Sequence, residues 1–392
     1  MSPVPARVVV LGGGVGGTLT ANLLDKELGR DAQVTVVDAS GMHDYQPGYL
    51  YVALGQAKGH WLTREERTLL RPGVDLAVEK AVRIRPDQGA VDLERGGSLP
   101  FDYLVIATGA RLMPDEIPGL AEGSFEFYSL AGAERLAQEL HRFDGGRIKV
   151  GVAGIPYKCP PAPVEFTFMV DGFLRRRDLR ERSEVELLSP LNRAFTIESA
   201  STLIQPIMER RGIGLTTFFN VEAVDPAAHV VESLEGEKQE YDLLVLVPPH
   251  KGAQVVVDSG LGDAGGWLPT DRQTLNVEGH ERIFALGDAT NLPISKSGST
   301  AHFEAPVIAS RIAGLVKGTA PKENYGGRVM CFLETGDGRA TSLRFDYEHP
   351  PVPPEPNRAW HVAKWLFNRM YWETVPQGRI PENAPFSKPK EG

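Results

Sequence analysis

Short apolar runs, several of which end at glycine or at an acidic residue, predict buried parallel strands along this chain. The first run, residues 6–11, leads into the glycine-rich stretch 12–17 and then into the helical pattern of residues 18–27. A second run, residues 33–37, ends at Asp38. The order of strand, glycine turn, helix and strand predicts a βαβ unit.

Later apolar runs predict a second unit of the same kind inside the first. Runs at 103–106 and 283–286 extend the first unit, and runs at 147–153 and 184–188 open another between them. We therefore predict an α/β fold with two Rossmann-like, three-layer ββα domains, the second inserted in the first. The predicted parts are residues 1–112 and 241–322 for the first domain, 113–240 for the inserted domain, and 323–392 for a C-terminal module with an amphipathic helix and a tail.

Charge and cysteine content exclude several classes of protein. The 392 residues carry a formal net charge of -9 without a basic run, which argues against nucleic acid as a partner. We expect no signal peptide, and no apolar run reaches the roughly 18 residues of a spanning helix. The two cysteines, Cys159 and Cys331, exclude a disulfide scaffold and a four-cysteine metal site, and no metal is predicted.

The glycine-rich turn predicts a site for a dinucleotide. Gly12, Gly14 and Gly17 follow the G-x-G-x-x-G pattern, in which the backbone and the helix N-terminus receive the pyrophosphate. Asp38 follows Gly17 by 38 - 17 = 21 residues, the position from which a carboxylate binds the adenosine ribose. Two further segments resemble the paired signatures of two-domain FAD reductases and predict FAD: Ala107-Thr108-Gly109 and Gly287-Asp288.

The inserted half lacks the second glycine motif that NAD(P)H-dependent reductases carry. After Gly151 and Gly154 a glycine is expected near position 156 or 157, but the chain continues with Pro156 and Pro160. Prolines lack the N–H donors that would hold a pyrophosphate. We predict that dinucleotide binding has been lost in this half.

Cys159 stands where the second glycine motif would be, at the mouth of a helix predicted to start near Pro163. The helix N-terminus and the adjacent Lys158 are predicted to favour the thiolate, which is the reactive form. Glu165 is either a group that handles protons for the sulfur or an ordinary first-turn carboxylate that complements the helix dipole.

The surroundings of Cys159 resemble the sulfide:quinone oxidoreductases and the related flavocytochrome c sulfide dehydrogenases. Residues 155–163, IPYKCPPAP, and 291–304, from NLPISK to AHFE, carry the resemblance, which covers nearly the whole chain. It implies that Cys159 and Cys331 meet at the flavin. A third cysteine, frequent in the family, is missing, so FAD is expected to be non-covalent. The resemblance also implies flavin contacts for Pro47 and Lys296, whose alternatives are an ordinary turn and a surface lysine.

The same resemblance implies a reaction. Sulfide attacks a disulfide or trisulfide between Cys159 and Cys331, leaving a persulfide on one cysteine and a thiolate on the other. Two electrons pass to FAD and then to a membrane quinone, and the sulfur leaves as polysulfide or elemental sulfur. Three alternatives stay open: a type II NADH:quinone dehydrogenase-like flavoenzyme, a flavocytochrome c subunit with a haem partner, and a flavin-binding sensor or scaffold.

Residues 358–372 have the periodicity of an amphipathic helix. One stripe is apolar, and the opposite side is basic through Arg358, Lys364 and Arg369. From Asn357 to the end, six Lys/Arg and three Asp/Glu give +3, so the remainder carries -9 - 3 = -12. This pattern predicts a peripheral membrane contact, expected at the cytoplasmic face. Packing on the protein's own core or in a homo-oligomer is the alternative. The stripe consists of Trp360, Ala363, Phe367, Met370 and Tyr371.

Overall fold

The computed structural model describes residues 4–320 and 323–380, and the predicted tail beyond residue 380 lies outside them. Helices α1 to α9 are, in order, Val15–Leu28, Tyr49–Ala53, Leu120–Gly123, Leu130–Arg142, Pro161–Arg176, Glu198–Arg210, Gln254–Asp258, Gly298–Lys317 and Arg358–Thr374. Strands β1 to β21 are, in order, Ala6–Leu11, Ala32–Asp38, Met42–Asp44, Thr63–Glu65, Val74–Val78, Ala81–Arg85, Ala90–Leu93, Gly97–Pro100, Tyr103–Ile106, Ala110–Leu112, Gly146–Val152, Ser183–Leu188, Gly214–Thr216, Val221–Asp225, Val230–Ser233, Lys238–Glu240, Leu243–Val247, His250–Gly252, Ile283–Ala285, Val329–Gly336 and Arg339–Phe345.

The first sheet is parallel and has the strand order β19-β9-β1-β2-β5. Side chains of β1 alternate between its two faces, as the strand period of two requires. Val8 and Val10 pack with residues of α1 and α8, whereas Val9 and Leu11 pack with Ile84 of the antiparallel sheet β6-β7-β8. The predicted arrangement of a parallel sheet between helices and a β layer is therefore confirmed here.

The second sheet is also parallel, with the order β13-β12-β11-β17. Ile148 and Val150 of β11 pack with the apolar side chains of α4, α5 and α6. Leu244 and Leu246 of β17 face the antiparallel sheet β14-β15-β16. Strands β10 and β18 pair where the chain enters and leaves this region. The domain boundaries at residues 112, 240 and 322 stay a prediction.

The chain continues into the antiparallel hairpin β20-β21 and then into α9, which packs on it. The hairpin places Cys331 of β20 against α5, the helix that follows Cys159. Within residues 4–320 and 323–380, none of the helices has the length and apolar character of a membrane span.

Of the two alternatives for the predicted stripe, α9 shows packing on the protein's own core, since Tyr371 belongs to the apolar cluster and Phe367 packs against it. Lys364, expected on the polar side, is 6% exposed, and Tyr371 of the predicted stripe is 2% exposed. Periodicity alone does not tell which side of a helix packs on the core. The apolar side chains that α9 exposes lie between 45% and 53% accessible: Val362, Trp365, Leu366 and Met370.

Candidate functional site

A cleft opens at the carboxyl ends of β1, β9 and β19, where ligands bind in open α/β sheets. It holds about 1300 Å³ of empty space, including the part open to solvent. Of the predicted site residues, those that line it are Gly12, Gly14, Asp38, Pro47, Ala107, Thr108, Gly109, Gly287, Asp288 and Cys159.

The three glycines of the turn show three different physical reasons for lacking a side chain. Gly12 has φ of +104°, and a Cβ there would lie 2.5 Å from the carbonyl oxygen of Ala107. A Cβ on Gly17 would lie 1.9 Å from the carbonyl oxygen of Gly12, so it lets α1 pack closely on the strand. A Cβ on Gly14 would meet no atom within 4 Å. Because Gly14 lines the cleft, that open space is where a pyrophosphate would approach.

Asp38, at the end of β2, is held at the cleft by backbone N–H groups. Its Oδ2 accepts a hydrogen bond from Gly13 N at 2.8 Å, and Oδ1 accepts from Ser40 N at 2.9 Å and Gly41 N at 2.8 Å. These bonds fix the carboxylate beside the glycine turn, in the position predicted to bind ribose.

Two further residues that line the cleft present polar groups that suit a polar ligand. The Thr108 hydroxyl is buried and has no hydrogen-bond partner in the part of the chain that the structure describes. Burial raises the pKa of the Asp288 carboxyl, and the charges of Lys158 and Lys296 oppose that shift. An unpartnered hydroxyl and a buried carboxyl, both lining the cleft, fit the polar groups of FAD.

Lys296 is buried, so the alternative of a surface lysine is wrong. Its Nζ donates hydrogen bonds to the carbonyl oxygens of Asp288, at 3.2 Å, and Thr290, and it lies 3.9 Å from the ring centre of Trp267. Burial lowers the pKa of Lys296 to about 8. The side chain thus supports the loop that carries Asp288.

Cys159 lines the cleft in a backbone conformation that is uncommon for a residue with a Cβ, with φ of +50°. Its N–H donates to Lys296 O at 2.6 Å, and its carbonyl accepts from Ala162 N at 2.9 Å and from the Tyr128 hydroxyl at 3.3 Å. These three bonds hold the conformation against its cost.

The two groups predicted to favour the Cys159 thiolate do so, because the Lys158 charge and the backbone of Ala162 at the start of α5 both lower the pKa of the thiol, but burial outweighs them. Burial raises the pKa of this thiol to about 11, although the charges of Lys364 and Lys158 and a backbone hydrogen bond of Ala162 lower it. Desolvation disfavours the anion more than these groups favour it.

Cys331 lies close enough to Cys159 for their charges to interact. Burial and the Cys159 charge raise the pKa of the Cys331 thiol, and a hydrogen bond of Ser297 lowers it. Both sulfurs are free thiols and pack against the same apolar cluster. The fold therefore brings together the two cysteines that the sequence separates by 331 - 159 = 172 residues.

Glu165 is a buried group of α5, and the alternative of a first-turn carboxylate is wrong, because the first turn of this helix has no acidic residue. Its Oε1 accepts a hydrogen bond from Glu334 N at 3.0 Å and pairs with Lys364 Nζ. The charge of Lys364 in turn lowers the pKa of the Cys159 thiol.

Sequence reasoning missed Lys364, Tyr128 and Ser297 as parts of this site. The helical wheel placed Lys364 on the polar side of α9, whereas the side chain is buried in the protein. Tyr128 carries no local motif, and Ser297 lies inside the 291–304 run without standing out in it; the Tyr128 bond to Cys159 O and the effect of Ser297 on the Cys331 pKa arise only from the tertiary fold.

Comparison with known proteins agrees with this architecture. Sulfide:quinone oxidoreductase, mitochondrial, of Mus musculus is 27% identical over 358 residues, covering 88% of this chain and 79% of the relative. The solved sulfide:quinone oxidoreductase of Aquifex aeolicus has a TM-score of 0.85 at 23% identity, covering 96% of this chain and 93% of that chain. A type II NADH:quinone oxidoreductase of Staphylococcus epidermidis is 24% identical over 360 residues, covering 85% of this chain and 88% of the relative.

A family match covers most of the chain. Residues 6–305 match the family described as pyridine nucleotide-disulphide oxidoreductase, and this range includes both parallel sheets and the glycine turn. The range is more than half of the 392 residues. The chain therefore belongs to the pyridine nucleotide-disulphide oxidoreductase family.

Proposed function

We propose that the protein oxidises sulfide to polysulfide or elemental sulfur and passes the electrons to a membrane quinone, through Cys159, Cys331 and non-covalently bound FAD. The observation that carries this proposal is the position of the cysteines. Cys159 lines the flavin-type cleft, and Cys331 lies within electrostatic range of it. The relatives from mouse and Aquifex named for sulfide and quinone support the same reaction.

Different residues of the cleft would bind different parts of FAD. The backbone at Gly14 and the N-terminus of α1 would receive the pyrophosphate, Asp38 the ribose, and Asp288 the ribityl chain. The lining residues Pro47 and Thr108 would contact the remainder, and Lys296 would act through the Asp288 carbonyl to which it donates a hydrogen bond. When bound, FAD supplies the two-electron acceptor between the cysteine pair and quinone.

The cysteine pair would carry the sulfur chemistry. Hydrosulfide attacks one sulfur of a Cys159–Cys331 disulfide; a new S–S bond forms, the original one breaks, and its electron pair leaves on the other cysteine as a thiolate. A second hydrosulfide takes the sulfane sulfur away as disulfide anion, which leaves both cysteines reduced. Re-forming the Cys159–Cys331 disulfide from the two thiols releases two protons and two electrons, and bound FAD would accept the electrons.

The buried pair of Glu165 and Lys364 would control charge and protons beside this chemistry. The Lys364 cation attracts the Cys159 thiolate and therefore favours electron-pair departure to that sulfur. Glu165 holds Lys364 in place through this ion pair. Glu165 would also handle protons for the sulfur.

Membrane contact would come from the exposed apolar face of α9, defined by Val362, Trp365, Leu366 and Met370. The Arg369 guanidinium lies over the Trp365 ring at 5.6 Å, which places a cation beside this face. Tryptophan and arginine next to an apolar surface are typical of helices that lie in a membrane interface. We propose peripheral binding at the cytoplasmic face.

Anaerobic stopped-flow absorbance tests the function against the NADH-dependent alternative. We expect sulfide to bleach the bound FAD, NADH to leave it oxidised, and a quinone to restore the oxidised spectrum. Cys159→Ser and Cys331→Ser variants should bind FAD and lose the reduction by sulfide. Rapid bleaching by NADH, or full turnover in either variant, would contradict the proposal.

A further inference from the structure

Cys159 and the residue before it, Lys158, both line the cleft. Among the described residues that line it, Lys158 is the only one with a cationic side chain, whereas three are acidic: Asp38, Asp44 and Asp288. The protein as a whole carries a net charge of -9. A small anion that enters the cleft therefore meets one positively charged side chain on its wall, and that side chain belongs to the neighbour of the reactive cysteine.

The Lys158 ammonium group uses few of its hydrogen-bond donors within the protein. Its Nζ donates to Gln46 Oε1, another group that lines the cleft, at 2.9 Å. An ammonium group has three donors, and an amide oxygen carries no net charge. In the part of the chain that the structure describes, Nζ has no second hydrogen-bond acceptor and no carboxylate at ion-pair distance. Two donors and an unpaired charge thus remain for a ligand.

Lys296 shows how a lysine of this region differs when the protein itself satisfies its ammonium group. Its Nζ donates to the carbonyl oxygens of Asp288 and Thr290 and lies 3.9 Å from the ring centre of Trp267. Lys296 is 8% exposed and supports a loop behind the cleft wall. Lys158 is half-buried and reaches the cleft itself, with a neutral amide as its partner. The two lysines therefore have different roles, and only Lys158 is available to a molecule in the cleft.

The acidic groups around Lys158 leave its charge without a direct counter-ion. The Glu126 carboxylate accepts hydrogen bonds from the chain that follows it, residues 128 and 129. Burial lowers the pKa of the Lys158 ammonium, and the charges of Asp288, Glu126 and Cys159 oppose that shift. Because removing a cation from water costs free energy unless it is paired, an anion that binds beside Lys158 offsets this cost.

We propose that Lys158 binds hydrosulfide as an anion next to Cys159, before its sulfur attacks the Cys159–Cys331 disulfide. Lys158 keeps its proton throughout and donates N–H hydrogen bonds to the hydrosulfide sulfur, so no covalent bond changes at the lysine. Lys158 is thereby a substrate-binding residue that selects a small anion. The identity of that anion rests on the function proposed above, whereas the anion site itself does not.

Two alkylating reagents of different charge test the anion site without sulfide or quinone. In the FAD-bound Cys331→Ser protein, iodoacetate is an anion and iodoacetamide is neutral, and both react only with the Cys159 thiolate. The ratio of the two rates is therefore independent of the thiolate fraction and measures the attraction of an anion. We expect Lys158→Gln to lower the ratio of the iodoacetate rate to the iodoacetamide rate by about tenfold. Lys158→Arg, which keeps the charge, should stay within about twofold of the parent.

Two further variants separate the charge of Lys158 from its structural contact. Lys58→Gln removes the same charge from an exposed position that does not line the cleft, so the ratio should stay within about twofold of the parent. Gln46→Ala removes the acceptor at Nζ but keeps the cation, so the ratio should again be retained. Lys158→Gln itself keeps an N–H donor for Gln46 and should therefore fold. An unchanged ratio in Lys158→Gln, or an equal loss in Lys58→Gln, overturns the proposal.

Reduction of FAD by sulfide forms a separate arm of the test. With both cysteines present, Lys158→Gln should raise the sulfide concentration that gives half of the maximal bleaching rate by about tenfold, with a smaller effect on the maximal rate. If the alkylation ratio responds as expected but sulfide bleaches neither the parent nor the variants, the proposed function fails and the anion site stands. If sulfide bleaches the parent but the ratio does not respond, the role of Lys158 fails and the function stands.

Discussion

Lys364 of the C-terminal helix pairs with Glu165 of α5 inside the protein, next to the reactive cysteine. Both side chains are buried, and the charge of Lys364 lowers the pKa of the Cys159 thiol more than the charge of Lys158 does. The helix proposed to contact the membrane therefore also supplies a charge to the redox pair. Burial lowers the pKa of Lys364, and the Cys159 charge opposes that shift.

Replacing Lys364→Met should slow the reduction of FAD by sulfide by about tenfold or more, since an adjacent opposite charge shifts a thiol pKa by about 1–3 units. The same substitution leaves Glu165 buried without its cation, which should cost about 3–5 kcal/mol in free energy of unfolding. Stopped-flow absorbance and urea denaturation measure the two effects.

A double variant separates the charge from the stability. Glu165→Gln keeps an oxygen acceptor for Glu334 N but removes the carboxylate charge. The protein with both Lys364→Met and Glu165→Gln should regain most of its stability and remain slow with sulfide. Recovery of the rate in the double variant would show that Lys364 acts only through folding.

Two glycines of the phosphate turn should respond differently to alanine. Gly14 has an extended φ of -91°, and a Cβ there meets no atom, so Gly14→Ala should fold and lose affinity for FAD by about tenfold or more. In Gly17→Ala the Cβ would clash with Gly12 O, which should cost about 1–3 kcal/mol of stability. Flavin fluorescence on titration and thermal melting of the FAD-free proteins report these effects. If Gly14→Ala bound FAD with normal affinity, the backbone at Gly14 would not be a contact of the cofactor.

The Cys159 thiol should lose its proton at a higher pH than an exposed cysteine does. In Cys331→Ser it is the only thiol, and burial raises its pKa to about 11. Because the thiolate is disfavoured, alkylation of the FAD-free protein should keep rising about tenfold per pH unit up to pH 10. An exposed cysteine levels off near its ordinary pKa of about 8.5. If the alkylation rate levelled off below pH 8, the thiol would have a lowered pKa, as the helix N-terminus and Lys158 alone would predict.

The parts of the fold that could be predicted from sequence are those with local patterns. Strand β1, the glycine turn and Asp38 lie within one βαβ unit, where a strand period and a fixed spacing determine the structure. Cys159 stood out because prolines replaced an expected glycine. Its pairing with Cys331 needed the family resemblance, since no local pattern links residues 172 apart, 331 - 159.

The remainder depended on packing that no local pattern contains. Lys364 occupies the core because the hairpin β20-β21 and α5 surround that side of α9 and Glu165 offers a counter-charge. The helical wheel placed Tyr371 on an apolar stripe without telling whether a membrane or the core covers it, and its hydroxyl lies 2.7 Å from Nε2 of the fully buried His43. A periodicity gives the angle between side chains but not the direction of the core.

The exposed face of α9 gives the last prediction. Trp365, 53% exposed, should enter the interface of a lipid vesicle, so Trp365→Glu should lower binding to anionic vesicles in co-sedimentation by about tenfold or more. Leu234→Glu is the matched control, because Leu234 is 66% exposed but lies outside α9. Reduction of FAD by sulfide should be unchanged in both variants, since neither side chain reaches the cysteines. Equal vesicle binding by the two variants would leave α9 without a membrane role, and quinone would then have to reach the flavin by another surface.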